Sequence, residues 1–389
     1  MNNFEFYNPT KIIFGKNVER GLPFEINRYG KKVLLHYGGS SIKSFGLYER
    51  VIKSLQDNHI EFVELGGVQP NPRLDLVYEG IRLGREQRVD LILAVGGGSV
   101  IDSAKAIAVG IPYDGDVWDF YTGQALPETT LPVGVVLTHA AAGSEASPSS
   151  VISKNEGKLK RPLDYNLIRP VFSFLNPELT YSVSSYQTAC GVSDIMSHIM
   201  ERYFTQVKNV EVTDRLCEAS LKTIIHNAPI VLDQPDNYAA RSEIMWGGTI
   251  AHNDMLGTGR EGDWACHMIE HELSAFNDVA HGEGLAIIFP AWMKYVYKQG
   301  LERFVQFAVR VWNIEQDFEN PEKTALDGIN KLISFYKTMG LATTLSEIGI
   351  AEKDFSEIAA KCRLFNENTV GHFVKLTRDD IIKILDLAK

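Results

Sequence analysis

The sequence predicts two domains: an α/β domain built on a doubly wound parallel sheet, followed by an all-α domain. Up to Val183, short apolar runs alternate with segments of helical periodicity, as they do when crossover helices join parallel strands. From Ser184 onward, helical periodicity alone recurs. We therefore place the first domain at residues 1–183 and the second at residues 184–389.

Four apolar runs of the first domain are predicted strands, and the segments between them are predicted helices. The strands are Lys31–Tyr37, Glu61–Leu65, Asp90–Val95 and Leu131–Leu137. The helices are Ile42–Leu55, Arg73–Gln87 and Val100–Val109. In the second domain the predicted helices include Tyr186–Phe204, Val210–Leu232, Tyr238–Leu256, Asp263–Ala275 and Leu285–Gln299. Because such sheets bind ligands beyond the carboxyl ends of their strands, we expect the turns after the strands to be binding loops.

Composition and charge narrow the class of protein. The chain has 389 residues, of which 44% are hydrophobic, and a formal net charge of −10. This acidic excess argues against nucleic acid or an anionic membrane as a partner, since both are bound through basic surfaces. The start of the chain has no basic segment followed by an apolar one, and no apolar run is long enough to span a membrane. We therefore expect a cytoplasmic protein.

One aspartate and four histidines occur at spacings that helices can gather around a metal ion. Asp194 precedes His198 by four residues, His267 precedes His271 by four, and His281 follows. Residues four apart lie on one face of a helix. A carboxylate oxygen with imidazole nitrogens suits Fe(II) or Zn(II) better than Mg²⁺ or Ca²⁺. The spacing favours His267 and His271 equally, and any one histidine considered alone could instead be a surface or core residue.

Two glycine turns are candidate cofactor loops. Gly96-Gly97-Gly98-Ser99 lies between a buried strand and a helix, where backbone N–H groups and the helix dipole favour a phosphate, although such a run can also be only a tight turn. Gly38-Gly39-Ser40 would meet the adenosine ribose if the first and third strands were neighbours; otherwise it is an ordinary loop. No carboxylate stands there to bind a ribose 2′-hydroxyl, and Lys43 is near, so this loop favours NADP(H).

Seven segments, spread over nearly the whole chain, carry a family resemblance. They are NPTKIIFG, LHYGGSSIK, GGVQPNP, AVGGGSVIDSAKAIA, AAGSE, GVSDIMSHIMERY and DWACHMIEHELSAFNDVAHGEGLAIIFPAW. With them the chain resembles the iron-containing (group III) alcohol dehydrogenases, and among these the NADPH-dependent butanol dehydrogenases and aldehyde reductases. The resemblance implies a dehydroquinate synthase-like fold, a dinucleotide bound between the two domains, and a homodimer.

The resemblance also implies roles for individual residues. His271 would lie near the nicotinamide and the substrate without binding the metal, which would be held by Asp194, His198, His267 and His281. The implied cofactor-binding residues, beyond the Gly38–Ser40 turn, are Asn71, Gly97, Gly98, Ser99, Asp102, Thr138 and Lys160. Two positions depart from the family pattern, because Ala142 stands where a threonine is usual and His139 where a threonine, leucine or isoleucine is usual. A hydroxyl contact to the cofactor would then be missing.

These expectations describe an NADP(H)-dependent enzyme that interconverts aldehydes and primary alcohols. One carboxylate and three neutral imidazoles would leave a divalent metal with a net charge of about +1, able to polarise a carbonyl oxygen, and His271 could relay the proton. Small uncharged substrates such as butanal are expected, because there is no arginine in Trp264–His271, Phe276–Gly284 or Trp118–Tyr121. The alternatives are a polyol dehydrogenase of the same superfamily, which would generally use three metal ligands, and a non-catalytic NADP-binding sensor, which would have lost ligands.

Overall fold

The computed structural model describes residues 1–39, 41–44, 46–364 and 368–389. The chain divides into two compact units. Tyr7–Val183 forms an α/β unit, and Met1–Phe6 together with Ser184–Lys389 forms a helical unit. No helix of the described residues is both long enough and apolar enough to cross a membrane.

The α/β unit consists of a large sheet, a separate hairpin and the helices between their strands. The strands are β1 (Lys11–Phe14), β2 (Lys32–Tyr37), β3 (Glu61–Leu65), β4 (Leu91–Gly96), β5 (Val133–Leu137), β6 (Ser149–Lys154), β7 (Leu159–Asp164) and β8 (Phe172–Leu175). The helices are α1 (Leu22–Ile26), α2 (Ser41–Ser44), α3 (Leu47–Asp57), α4 (Leu74–Gln87), α5 (Gly98–Gly110) and α6 (Trp118–Thr122).

The large sheet is parallel throughout, with the strand order β1-β8-β5-β4-β2-β3. From β2 the chain first adds β3 on one side and then crosses back to add β4 on the other, so the topological switch point lies between β2 and β4. In the register Tyr37 lies opposite Val95, and Gly96 lies opposite Leu137. The carboxyl ends of these strands are therefore level, and the predicted doubly wound parallel sheet is confirmed.

Some elements of the α/β unit differ from the sequence-based expectation. The single helix expected at Ile42–Leu55 is divided into α2 and α3, because Gly46 adopts a φ of 63°, a left-handed conformation that ends one helix before the next begins. Strands β1 and β8 and the β6–β7 hairpin are not predicted from sequence. Two of these strands contain only four residues each, too few to show a clear period.

The helical unit consists of α7 (Ser185–Tyr203), α8 (Glu211–Asp233), α9 (Tyr238–His252), α10 (Ala265–Asn277), α11 (His281–Val296), α12 (Leu301–Arg310), α13 (Pro321–Thr338), α14 (Phe355–Lys361) and α15 (Arg378–Leu387). Its predicted all-α character is confirmed. Helix α9 ends at His252 rather than at the expected Leu256.

Helix α7 lies at the centre of the helical unit, in contact with α8, α9 and α11. Every residue from Thr188 to Tyr203 is buried, whatever its polarity. The polar side chains of this helix therefore have to find partners inside the protein. Just beyond its end, Phe204 stacks on Phe304 with ring centres 4.7 Å apart, in an aromatic cluster that also includes Trp292.

Candidate active site

Three helices of the helical unit bring the predicted metal ligands together. Asp194 and His198 lie one turn apart on α7, His267 lies on α10, and His281 is the first residue of α11. Asp194, His198 and His267 are at most 4% exposed. The side chain of His281 retains 24% exposure. The cluster therefore has one partly open side.

The carboxylate of Asp194 is the centre of this cluster. Its Oδ1 atom lies 3.1 Å from Nδ1 of His198, 3.8 Å from Nε2 of His281 and 4.0 Å from Nε2 of His267. Ligand atoms that each lie about 2.1 Å from a metal are roughly 3–4 Å from one another. Among the described residues, Oδ1 of Asp194, Nδ1 of His198 and Nε2 of His267 make no hydrogen bond. These buried atoms and the donor set fit one Fe(II) or Zn(II) ion.

The electrostatics of the cluster favour the protonation states that metal ligands need. Burial raises the pKa of Asp194, but the neighbouring His198 and His281 outweigh burial and hold that pKa well below its usual range. Burial, together with His198 and His281, lowers the pKa of His267 well below its ordinary value. At neutral pH the site therefore offers a carboxylate and a neutral imidazole, the forms that bind metal.

His271 lies beside the cluster rather than in it. It follows His267 by one turn of α10 and is 4% exposed. Its ring centre lies 6.5 Å from that of His267 and 5.6 Å from that of His281. The group of potential ligand atoms around Asp194 contains His267 and His281, whereas His271 is grouped with Glu270 and His281. His198 belongs to neither group, but its Nδ1 atom lies 3.1 Å from Oδ1 of Asp194. The geometry thus distinguishes His267, which lies near the carboxylate of Asp194, from His271, although the spacing favours both as ligands equally.

Two glutamates outside the predicted set contact two of the histidines that are predicted as ligands. The carboxylate of Glu201 accepts a hydrogen bond from Nδ1 of His267 at 2.9 Å, and that of Glu270 accepts one from Nδ1 of His281. Both glutamates are fully buried. The sequence does contain a signal for these glutamates. Glu201 follows His198 by three residues, and Glu270 follows His267 by three residues, so each glutamate shares a helix face with a predicted ligand.

In the α/β unit, the predicted phosphate turn joins β4 to α5. In the described part of the chain, no side chain caps the start of this helix, whose first residue is Gly98. A Cβ atom added at Gly97 would lie 3.0 Å from Cβ of His139, and one added at Gly98 would lie 3.1 Å from Cβ of Ala142. Glycine therefore permits this close packing, and the two residues that depart from the family pattern line the turn.

The second glycine turn follows β2, which pairs with β4, so the first and third predicted strands are neighbours. Among the described residues, a Cβ atom added at Gly39 would meet nothing within 4 Å, whereas one added at Gly38 would lie 3.6 Å from the backbone oxygen of Val68. Ser40 lies outside the described residues. Both glycine turns thus follow strands that flank the switch point, where doubly wound sheets bind nucleotides.

The other predicted cofactor residues lie around the same strands or on the hairpin. Thr138 donates its backbone N–H to the oxygen of Gly96 at 3.0 Å, next to the phosphate turn. Asn71 is buried and has a left-handed φ of 54°, and Lys160, on β7, is 4% exposed. The carboxylate of Asp102 accepts hydrogen bonds from Ser144 Oγ and from the backbone N–H of Val151. Asp102 therefore holds protein segments together near the turn.

Lys105 is a further buried group near the phosphate turn that is absent from the predicted set. Its Nζ atom donates to Oγ of Ser144 at 2.9 Å and to the backbone oxygens of Ser147 and Ser149 at 3.0 and 2.7 Å. Burial lowers the pKa of Lys105 to about 8. The sequence signal is its position three residues after Asp102 in a mostly apolar helix. Lys105 thus anchors the segment that contains Ser144.

Comparison with known proteins assigns the chain to a family. Residues 9–177 match the model of iron-containing alcohol dehydrogenases, and residues 188–388 match that of the C-terminal region of the Fe-containing alcohol dehydrogenase family. The probable NADH-dependent butanol dehydrogenase 1 of Bacillus subtilis is 45% identical over 99% of each chain, and the NADPH-dependent aldehyde reductase YqhD of Escherichia coli is 34% identical over 100% of each. The crystal structure of NADH-dependent butanol dehydrogenase A from Thermotoga maritima is 39% identical, with a TM-score of 0.96 over 100% of this chain and 99% of that one.

The chain belongs to the iron-containing alcohol dehydrogenase family, as its sequence motifs predict. It is therefore an oxidoreductase of the alcohol dehydrogenase kind. The family implies a nicotinamide cofactor and a metal ion of the iron type.

Proposed function

We propose that the protein interconverts uncharged aldehydes and primary alcohols, with a divalent metal held by Asp194, His198, His267 and His281. The observation that carries the proposal is the set of three imidazole nitrogens 3.1–4.0 Å from one carboxylate oxygen. The metal would be Fe(II) or Zn(II), since nitrogen-rich ligand sets suit both ions. When bound, the metal would act as a Lewis acid on the carbonyl oxygen and the nicotinamide would supply the hydride.

His271 is proposed as the residue that moves the proton. Reduction of an aldehyde adds a hydride to carbon and a proton to oxygen, so the site needs an acid as well as a Lewis acid. An imidazole has an ordinary pKa near 6.5 and can relay a proton at neutral pH. His271 is buried beside His281, with ring centres 5.6 Å apart. It is close enough to the metal ligands to serve the substrate bound there, directly or through one water.

The cofactor is proposed to bind along the carboxyl edge of the parallel sheet. The support is the position of both glycine turns at the switch point and the start of α5 within the Gly96–Ser99 turn. The residues proposed to bind it are Gly38, Gly39, Ser40, Asn71, Gly97, Gly98, Ser99, Asp102, Thr138 and Lys160. Among these, Thr138 donates its backbone N–H to the oxygen of Gly96 in the phosphate turn, and Asp102 accepts hydrogen bonds from Ser144 and Val151.

NADP(H) is proposed as the preferred cofactor. The support is the absence of a carboxylate in Gly38-Gly39-Ser40 and the nearby Lys43, whose charge suits a 2′-phosphate. The relatives differ in the cofactor that their names give. The Bacillus subtilis relative, which is named NADH-dependent, has the higher sequence identity at 45%, whereas the NADPH-dependent reductase of Escherichia coli is 34% identical. Assays with both cofactors therefore belong in any test.

The proposed substrates are small and uncharged, butanal being an example. Trp264–His271 and Phe276–Gly284, the segments that contain His267 and His281, include no arginine or lysine. The guanidinium of Arg202 lies 4.6 Å from the ring centre of Trp264, but it is buried and paired with Asp254 at 3.6 Å. These two segments would therefore offer a substrate carboxylate or phosphate no cationic partner of the kind that it normally requires.

The protein is further proposed to act as a homodimer in the cytoplasm. Strand β1 lies at the end of the sheet, and Tyr7, Phe14 and Phe24 are 54%, 38% and 69% exposed, a surface that a second copy can cover. Light scattering on the purified protein would measure its mass in solution. Cell fractionation would test the location.

The decisive test of the function is the oxidation of NADPH, and separately of NADH, on addition of butanal to the Fe(II)- or Zn(II)-loaded protein. We expect aldehyde-dependent oxidation and butanol as the product. Binding of cofactor without turnover in either metal form would instead favour a non-catalytic sensor.

A further inference from the structure

We propose that Glu201 and Glu270 are positioning residues of the metal centre, each holding one ligand histidine so that its Nε2 atom faces the ion. The inference rests on the metal site of the proposed function. Neither glutamate belongs to the set of ligands. Each is fully buried, and each accepts a hydrogen bond from Nδ1 of its histidine, Glu201 from His267 and Glu270 from His281.

A neutral imidazole carries its proton on one ring nitrogen and can bind metal only through the other. A carboxylate that accepts a hydrogen bond from Nδ1 places the proton there, leaves the lone pair on Nε2 and makes that nitrogen more basic. The Nε2 atoms of His267 and His281 both face Oδ1 of Asp194, at 4.0 and 3.8 Å. The two glutamates thus select the same ring nitrogen in two ligands.

Glu201 also fixes the start of the helix that carries His267. Besides Nδ1 of His267, Oε1 accepts the backbone N–H of the same residue at 3.0 Å, and Oε2 accepts the backbone N–H of Trp264 at 2.7 Å. The first N–H groups of α10 have no partner within the helix, so a carboxylate at this end is stabilising. Because Glu201 lies on α7 with Asp194, one rigid helix sets the positions of several groups of the site.

Glu270 ties α10 to the first residue of α11. Its Oε2 atom accepts from His281, and its Oε1 accepts from Oγ of Ser274, which also lies 3.1 Å from the backbone oxygen of Val279. A Cβ atom at Gly284 would lie 2.8 Å from Cγ of Glu270, so glycine at that position makes room for the carboxylate. This contact restrains a histidine that stands at the end of a helix and is partly exposed.

The two glutamine substitutions probe different properties of these contacts. In Glu201→Gln an amide NH₂ must face either His267 or Trp264, which are both donors, so a hydrogen bond is lost. In Glu270→Gln the amide oxygen can still accept from His281 and the NH₂ can donate to Ser274, so mainly the charge is lost. We expect the dissociation constant for Zn²⁺ to rise in both variants, within the roughly 10–100-fold range of such contacts, and more in Glu201→Gln.

The experiment is a Zn²⁺ titration of the metal-free full-length chain against a competing chelator. The matched control is Glu218→Gln, since Glu218 is also a buried glutamate of the helical unit, but its partners include Tyr203 and Gln306 rather than a ligand histidine. We expect the wild-type affinity in the control. At saturating Co²⁺, the visible absorption bands should shift in both glutamate variants and stay unchanged in Glu218→Gln, because only the former alter the ligand imidazoles.

Wild-type Zn²⁺ affinity and wild-type Co²⁺ spectra in Glu201→Gln and Glu270→Gln would overturn the inference while leaving the metal site intact. Two Zn²⁺ ions per wild-type chain, with one lost in Glu270→Gln, would make Glu270 a ligand and equally overturn its positioning role. A wild-type chain that binds no Zn²⁺, Fe²⁺ or Co²⁺ would instead contradict the proposed metal-dependent function itself.

Discussion

Oδ1 of Asp194 and Nδ1 of His198, one turn apart on α7, lie 3.1 Å from each other, yet neither atom makes a hydrogen bond among the described residues. Both side chains are buried. A buried polar atom without a partner costs free energy, and two of them facing each other can both be satisfied by one cation. We therefore expect these two atoms to bind the same ion.

Alanine substitution of each ligand should separate metal binding from proton transfer. Replacing Asp194, His198, His267 or His281 is expected to lower the metal content of the purified protein, because each removes one donor. His271→Ala should keep the metal and reduce turnover by roughly 10²–10⁴-fold, the usual contribution of an acid–base group. Elemental analysis and steady-state kinetics give the two measurements.

The control for this series is His226→Ala, since His226 is exposed on α8. The His226→Ala variant should keep both the metal content and the turnover of the native protein. Full metal content in His267→Ala with loss of metal in His271→Ala would reverse the roles that we propose for these two histidines.

Cofactor preference should respond to a charge at Gly39. No described residue would lie within 4 Å of a Cβ atom at this position, and its φ is outside the left-handed region. We expect kcat/KM to be higher with NADPH than with NADH in the native protein, and Gly39→Asp to shift the ratio toward NADH by repelling the 2′-phosphate. Gly39→Asn, similar in size and uncharged, is the control. A higher native kcat/KM with NADH would show that the proposed preference is wrong.

The substrate class is tested with aldehydes that differ in charge. Butanal should be reduced with a higher kcat/KM than glyoxylate or glyceraldehyde phosphate, because the segments around the metal cluster offer neither arginine nor lysine. Lys160 is the cation that could serve an anionic substrate instead of the cofactor. A clear preference for either anion would contradict the substrate proposal without affecting the metal ligands.

Stability of the α/β unit should depend on pH through His36. This side chain is fully buried, with ring nitrogens 2.8 Å from the oxygen of Leu65 and 2.9 Å from Oγ of Ser103, and burial lowers its pKa to about 4. Between pH 4 and the ordinary value of about 6.5, the unfolded chain binds the proton and the folded chain does not. The contribution of neutral His36 to the free energy of unfolding is therefore complete above about pH 6.5. As the pH falls from 6.5 toward 4, this free energy decreases by roughly 3 kcal/mol.

His36→Asn removes the titration while its amide can still donate to the oxygen of Leu65. Urea unfolding at several pH values from 7 to 4.5 should show a shallower decline for this variant than for the native protein. Equal slopes would mean that His36 titrates alike in the folded and unfolded states.

Lys105→Met should destabilise the protein. The substitution keeps most of the volume but removes the hydrogen bonds of a fully buried ammonium, and it leaves the backbone oxygens of Ser147 and Ser149 without that donor. We expect the free energy of unfolding to fall by on the order of 3 kcal/mol. Lys53→Met is the control, because Lys53 is 75% exposed and should change stability by less than about 0.5 kcal/mol. A loss no larger than in the control would show that Lys105 is not an anchor.

The sequence by itself determined the class of fold and the candidate ligands, because both depend on local geometry. Apolar runs such as Asp90–Val95 identify buried strands, and the glycines after them mark turns whatever the rest of the chain does. Likewise, Asp194 and His198 share a face of α7 simply because they are four residues apart in a helix. Where local conformation changes within a segment, as at Gly46, the sequence pattern does not show where one helix ends and the next begins.

Tertiary structure decided what depends on contacts between distant residues. The order of the strands makes β2 and β4 neighbours and so places both glycine turns at the switch point. The packing of α7, α10 and α11 groups His267 rather than His271 with Asp194 and brings Glu201 to a histidine 66 residues away. Because helical spacing repeats every three to four residues, it identifies several candidate side chains on one face of a helix. Only the packing of neighbouring helices determines which of these side chains contact each other.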